Sequence, residues 1–116
     1  MYLLLAVINN EHLLEDILTG WLDIGITGAT VVESTDLLRL ISDTIPIFAG
    51  FRSLTSGGPH NKTVFTAIES KEVLDEAVAF LETQCRETGR SHQGVYMVAP
   101  LLSFDHLGAN PDTRTR

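Results

Sequence analysis

Residues 88–100 read Thr88-Gly89-Arg90-Ser91-His92-Gln93-Gly94-Val95-Tyr96-Met97-Val98-Ala99-Pro100. This stretch places a polar loop with a glycine near each end between a helix and a short apolar strand. Glycine allows positive φ and a close approach of the backbone to a ligand, and Arg90 adds a cation beside the loop amides. The pattern therefore predicts a phosphate-holding loop. The alternative is an ordinary helix-to-strand connection in which Gly89 is the C′ residue of the helix.

The rest of the chain alternates between apolar runs and amphipathic stretches. Hydrophobic periodicity predicts four strands, at Tyr2–Ile8, Gly28–Ser34, Lys62–Glu69 and Val95–Ala99. It also predicts one helix from about Glu11 to Ile24 and a second that begins after Ser70 and carries an apolar stripe as far as Leu81. Asn10 and Ser70 are the expected N-caps of these helices, and Gly25 is expected to end the first.

The predicted order is β-α-β-β-α-β, which is typical of the α+β ferredoxin-like sandwich. In that arrangement two helices cover one face of a four-stranded antiparallel sheet. Both alternating sets of positions in the first strand are apolar, with Leu3, Leu5 and Val7 on one face and Leu4, Ala6 and Ile8 on the other. Because a large exposed apolar patch is rare on a monomer, we expect a partner subunit to cover the second face of the sheet.

Composition and charge narrow the function classes. The chain of 116 residues is long enough for one domain, and its net charge is −7 with Lys62 and Lys71 as its only lysines. Such a chain lacks the basic stripe that binds nucleic acid. Residues 1–8 are apolar but too few to span a bilayer, and no basic residue flanks them, so we expect no membrane insertion. The single cysteine, Cys85, excludes an intramolecular disulfide and fits a reducing cytoplasm.

Two segments resemble the PII nitrogen-regulatory signal-transduction proteins. Residues 22–34, Leu22-Asp23-Ile24-Gly25-Ile26-Thr27-Gly28-Ala29-Thr30-Val31-Val32-Glu33-Ser34, are similar to their helix-to-strand passage, and residues 88–98 are similar to their B-loop and last core strand. The resemblance covers roughly Tyr2 to Pro100. It implies a homotrimer whose sheets face one another, adenine nucleotides bound in clefts between subunits, and a long T-loop that signals to a target protein such as a transporter or an enzyme.

The resemblance also implies domain bounds and site residues. Residues 1–100 would form one PII-like domain with a modified T-loop region at 35–61, and residues 101–116 a C-terminal extension and loose tail. The adenine side of the cleft would comprise Val7, Gly28, Ala29 and Thr30, and the phosphate side Gly89, Arg90, His92, Gln93 and Gly94. Where the family usually has Gly-Asp-Gly-Lys this chain has His92-Gln93-Gly94-Val95, and Leu101–Ala109 lacks the family's arginines. The expected effector is an adenine nucleotide or a cyclic dinucleotide.

The region equivalent to the T-loop has an unusual composition. Large apolar residues crowd its first part, Thr35–Leu54, which predicts an ordered segment that acts as a lid, a docking surface or an extra core layer. Residues 55–61, rich in glycine and polar residues, are predicted to be mobile. Tyr2 and Tyr96 both fall in predicted core strands, so uridylylation at the loop tip is not expected.

The sequence shows no clear motif for metal binding or catalysis. The four histidines, His12, His60, His92 and His106, show no metal-ligand spacing, so we expect no metal site. Ser103, Asp105 and His106 lack the motif of a catalytic triad, and we assign no enzymatic activity. Two alternatives to a PII-like regulator remain: a trimeric metal-handling protein similar to the CutA group, and a protein-interaction module whose nucleotide site has decayed.

Overall fold

The computed structural model describes residues 1–35, 37, 61–90 and 93–108. Its elements, in chain order, are β1 (Tyr2–Ile8), α1 (Glu11–Ile24), β2 (Ala29–Ser34), β3 (Asn61–Ile68), α2 (Lys71–Glu87) and β4 (Gly94–Pro100). This order agrees with the predicted β-α-β-β-α-β order. The predicted and observed strand bounds differ by no more than one residue at either end.

The four strands form one antiparallel sheet in the order β2-β3-β1-β4. In the middle of the sheet, Leu5 of β1 lies opposite Phe65 of β3 on one side and Met97 of β4 on the other. The central strands are therefore β1 and β3, while β2 and β4 form the two edges. An α+β fold with this sheet and two helices is compatible with the ferredoxin-like sandwich.

The helix ends follow the local rules that predicted them. Asn10 Oδ1 accepts hydrogen bonds from the backbone N–H of His12 at 3.0 Å and of Leu13 at 3.2 Å. Such a cap satisfies amides that have no partner within the helix. At the other end of α1, Gly25 adopts the left-handed conformation with φ of 111°, which glycine reaches without steric penalty. Ser70 caps α2 in the same way, since its Oγ accepts from Val73 N at 3.2 Å.

Both helices pack on one face of the central strands. Leu4, Ala6 and Ile8 of β1 are 0–2% exposed on that face. They share a core with residues of β3, α1 and α2: Leu13, Leu14, Ile17, Trp21, Val64, Ile68, Leu74, Ala77 and Leu81. Trp21 is 1% exposed, and its indole N–H donates to Ala77 O at 3.1 Å. This bond joins α1 to α2 across the core and satisfies the only polar atom of the tryptophan side chain.

The opposite face of the sheet is apolar and has no helix on it in the described part of the chain. We call it the open sheet face; it comprises Leu3, Leu5, Val7, Thr30, Val32, Ser34, Asn61, Thr63, Phe65, Ala67, Val95, Met97 and Ala99. Val32, Val95 and Met97 on its edge strands are 43%, 57% and 57% exposed. Apolar side chains at this exposure, which continue across β3, β1 and β4, are typical of a surface that a partner covers.

Several predictions about the T-loop region fall outside the described residues, namely those for residues 36 and 38–60. One residue of the predicted mobile tip is described. Asn61 is the first residue of β3 and only 5% exposed, so the prediction that the tip extends to residue 61 is wrong. Asn61 pairs with Ser34, the last residue of β2, at one end of the ladder between the two strands. No helix in the described ranges has the length and apolar character needed to cross a membrane.

Candidate functional site

The polar loop begins at the end of α2. Thr88 is the C-cap of the helix, and Gly89 follows with φ of 71°. The Gly89 amide donates to Arg86 O at 3.1 Å, which closes the last turn. Gly89 is therefore the C′ residue that the sequence offered as its simpler explanation.

Gly94 at the other end of the loop is required by packing against β1. Its φ is 154°, and a Cβ there would overlap the carbonyl oxygen of Val7 and lie 3.3 Å from the Cα of Ile8. Because the overlapping atom belongs to the backbone of a central strand, it has little freedom to move. The structure thus brings two predicted site residues, Val7 and Gly94, into direct contact through their backbones.

Gln93 lies between these glycines with its side chain turned inward. It is 6% exposed, and its Nε2 donates to Cys85 O at 2.8 Å and to Arg90 O at 2.9 Å. Its backbone carbonyl accepts from Asn9 N at 3.1 Å. Gln93 Nε2 therefore donates to one carbonyl of α2 and to one of the loop. Gln93 Oε1 is buried and has no hydrogen-bond partner within the described residues.

Arg90 is the exposed cation of the loop. Its backbone N–H donates to Thr88 Oγ1 at 3.3 Å, and its side chain forms no ion pair with the described residues. The two lysines differ in this respect. Lys62 Nζ lies 2.8 Å from Glu33 and 3.8 Å from Glu11, and Lys71 Nζ lies 2.9 Å from Asp75. The hydrogen bond that Lys62 Nζ donates to Glu33, followed by the negative charge of Glu33, raises the pKa of Lys62, so the charge of this lysine is already balanced by carboxylates.

Except for Val7, which contacts Gly94, the predicted adenine-side residues lie far from the loop within one chain. Gly28, Ala29 and Thr30 stand at the start of β2, one edge of the sheet, whereas Gly94 begins β4 at the other edge. Two strands separate these edges, which corresponds to about 14 Å at the usual strand spacing. Within the described residues, therefore, the two halves of the predicted cleft do not converge. His92 lies outside the described residues.

A groove of about 430 Å³ opens at the end of the sheet where β2 and α2 begin. Of the predicted site residues it contains Gly28, whose carbonyl accepts a hydrogen bond from Thr66 Oγ1 at 2.6 Å. Phe104 and His106 of the C-terminal extension form one wall, with ring centroids 5.4 Å apart in an edge-to-face contact. Sequence reasoning missed both rings as groove residues, because no periodic pattern or motif surrounds them.

The N-terminus of α2 borders this groove, and the Glu72 carboxylate already balances the positive end of its dipole. The Glu72 carboxylate accepts a hydrogen bond from its own backbone N–H and another from Ser70 Oγ at 2.9 Å. These bonds, the backbone one first, lower the pKa of Glu72 and keep the carboxylate charged beside the positive end of the helix dipole. An anion in the groove would therefore be attracted more weakly than at a helix N-terminus that has no carboxylate beside it.

Cys85 lies behind the loop and is only half-buried. Burial raises the pKa of its thiol, which keeps the sulfur protonated and unreactive near neutral pH. Its carbonyl, rather than its thiol, contacts the loop, through Gln93 and through Thr88 Oγ1 at 2.9 Å. The described residues contain no group of three or more His, Cys, Asp or Glu side chains placed to hold a metal ion.

Comparison with known proteins gives no further assignment: no protein-family model matches the chain, and no curated protein is significantly similar to it.

Proposed function

We propose that this protein is a PII-like regulator that binds a small anionic effector, an adenine nucleotide or a cyclic dinucleotide, at the boundary between subunits of a homotrimer. In this proposal ligand binding controls a partner protein, such as a transporter or an enzyme, in the cytoplasm. The observation that carries the proposal is the open sheet face, because its contiguous apolar side chains need a covering surface and a second copy of the chain supplies one.

Assembly would also complete the candidate site. Within one chain the start of β2 and the loop at 89–94 lie at opposite edges of the sheet. In the proposed ring of identical subunits, however, the β2 edge of one copy would face the β4 edge of the next. An intersubunit cleft can therefore combine Thr30 of one copy with Arg90 of another, although neither subunit holds both parts together.

The loop provides the anion-binding side of this proposal. The exposed Arg90 side chain has no carboxylate partner among the described residues, whereas Lys62 and Lys71 are paired. A charge-assisted hydrogen bond to phosphate contributes roughly 1.5–3 kcal/mol. Removal of the guanidinium should therefore weaken binding by about tenfold or more.

The test combines mass and affinity. Light scattering at micromolar concentration should give the mass of a trimer, and a stable monomer would contradict the proposal. A thermal-shift screen should then find a rise in stability with ATP, ADP or a cyclic dinucleotide, because a ligand selective for the native state stabilises it by mass action.

Calorimetry on the best ligand compares two arginine variants. Arg90→Ala should lose at least about tenfold in affinity, as expected for one lost charge-assisted bond. Arg86→Ala is the matched control, since this arginine is also exposed but lies in the last turn of α2. Equal effects of the two variants, or none, would exclude Arg90 from the site.

A second candidate is a protein-interaction module whose nucleotide site has decayed. The inward-turned amide of Gln93 favours it, together with the exposure of Val95, 57%, at the position where the family has its phosphate-binding lysine. This candidate predicts a trimer of unchanged thermal stability in every nucleotide. The same light-scattering and thermal-shift experiments therefore distinguish the two functions.

A further inference from the structure

Gln93 joins three parts of the chain that are not adjacent in sequence, two through its side chain and one through its backbone carbonyl. Its Nε2 donates to Cys85 O in α2 at 2.8 Å and to Arg90 O in the loop at 2.9 Å. Its own carbonyl accepts from Asn9 N, next to the N-cap of α1. The side chain is 6% exposed, so these bonds are shielded from water.

Arg90 is consequently held on both sides of its backbone. Its N–H donates to Thr88 Oγ1 at 3.3 Å, and its C=O accepts from Gln93 Nε2. Thr88 Oγ1 in turn donates to Cys85 O at 2.9 Å, the same carbonyl that Gln93 uses. One carbonyl at the end of α2 therefore anchors both restraints on the arginine.

We propose that Gln93 is a positioning residue that fixes the backbone of Arg90 so that its guanidinium faces the anion, and that it is not itself a ligand. The second half of this inference rests on the proposed function; the first half concerns the loop alone. Gln93 Nε2 has both of its N–H donors engaged with carbonyl oxygens, and Oε1 is buried. Neither atom can turn to a ligand without breaking this arrangement.

The chemistry of the restraint requires an amide. Two carbonyl oxygens face Nε2, so a carboxylate at this position would place a negative oxygen against two acceptors. A protonated carboxyl group would still donate one hydrogen bond. The Gln93→Glu substitution therefore makes the restraint depend on pH, because the protonated side chain keeps one donor and the ionised one keeps none.

The experiment compares wild type, Gln93→Glu and the control Gln84→Glu, which makes the same change on α2 outside the loop contacts. Backbone hydrogen exchange of residues 88–94 and ATP affinity by calorimetry are measured at pH 8 and pH 5.5. At pH 8 we expect Gln93→Glu to lose exchange protection at Arg90 and at least tenfold in affinity. At pH 5.5 the ratio of its affinity to that of wild type should rise, and Gln84→Glu should match wild type throughout.

Each result bears on one part of the inference. If backbone hydrogen exchange of residues 88–94 at pH 8 is the same in Gln93→Glu as in wild type, Gln93 does not restrain the backbone of Arg90. Lost protection with unchanged ATP affinity would overturn the positioning role. If wild type does not bind ATP, that failure counts against the proposed function, while the exchange measurement still decides whether the restraint exists. If Gln93→Glu does not fold, Thr88→Val removes the other restraint on Arg90 and should lower protection and affinity in the same way.

Discussion

The contact between the two helices predicts an unusual response to substitution of a helical glycine. Gly20 lies inside α1, where alanine normally stabilises a helix by about 0.5–1 kcal/mol relative to glycine. Here a Cβ would overlap the ring of Phe80 from α2, with Cε1 at 2.8 Å and Cε2 and Cζ nearer still. The absence of a side chain at position 20 is what allows the ring to lie against the backbone of α1.

The two effects of Gly20→Ala oppose each other. Overpacking of a well-packed contact costs roughly 1–3 kcal/mol, which exceeds the gain of helix propensity. We therefore expect Gly20→Ala to lower the free energy of unfolding by up to about 2 kcal/mol in the wild-type background. In a Phe80→Ala background the overlap is gone, and Gly20→Ala should raise the free energy of unfolding by about 1 kcal/mol. The coupling energy between the two sites would then be roughly 1–3 kcal/mol.

The four proteins of this double-mutant cycle are wild type, Gly20→Ala, Phe80→Ala and the double variant. Urea unfolding at one fixed protomer concentration, followed by the fluorescence of the single tryptophan, Trp21, measures the free energy of unfolding of each. Thr19→Ala, at the exposed neighbouring position, serves as the control and should have the same small effect in both backgrounds. If Gly20→Ala stabilises the protein equally with and without Phe80, the helices do not pack as described.

Three further predictions concern single side chains. Trp21→Phe should lower the free energy of unfolding by roughly 1–3 kcal/mol, because it removes the bond to Ala77 O and leaves unfilled volume; a urea midpoint equal to that of wild type would contradict this. Cys85 should react with a disulfide reagent more slowly than glutathione at pH 8, since burial raises its pKa, and urea should abolish the difference. The folded pKa of Glu72 is lowered, so the stability it contributes is present above its ordinary value of 4.5 and is lost as the pH falls through the folded value. Glu72→Gln should therefore lose stability less steeply than wild type below pH 4.5, as acid titration by circular dichroism can show.

The fold could be predicted because its signals are local. The apolar run of β1, the cap at Asn10 and the glycine at position 25 each act within a few residues of their own position, and each lies where the sequence placed it. The uncovered apolar face followed from the same alternation of residues in β1. The order of strands alone does not show what covers that face.

The candidate site was less predictable because its contacts are tertiary. The sequence singled out Gly89 and Gly94, but it could not show that Gly94 is required by the carbonyl of Val7 on a strand far away in sequence. Gln93 was predicted to face the ligand together with Arg90. Its inward orientation depends on the carbonyl of Cys85 at the end of α2, which only the packed helix places within reach. No pattern of residue types near position 93 encodes that orientation.

The exposure of β4 also affects how the protein must be handled. All seven residues of the strand are exposed, and none of them is charged. Its outer edge pairs with no other strand in the described part of the chain. Natural edge strands commonly carry lysine, proline or a bulge that discourages pairing with foreign strands, and here Pro100 stands only at the last position. If the chain assembles as proposed, dilution to the monomer should expose this edge as a template for strand-to-strand aggregation, which light scattering of diluted samples over time would show.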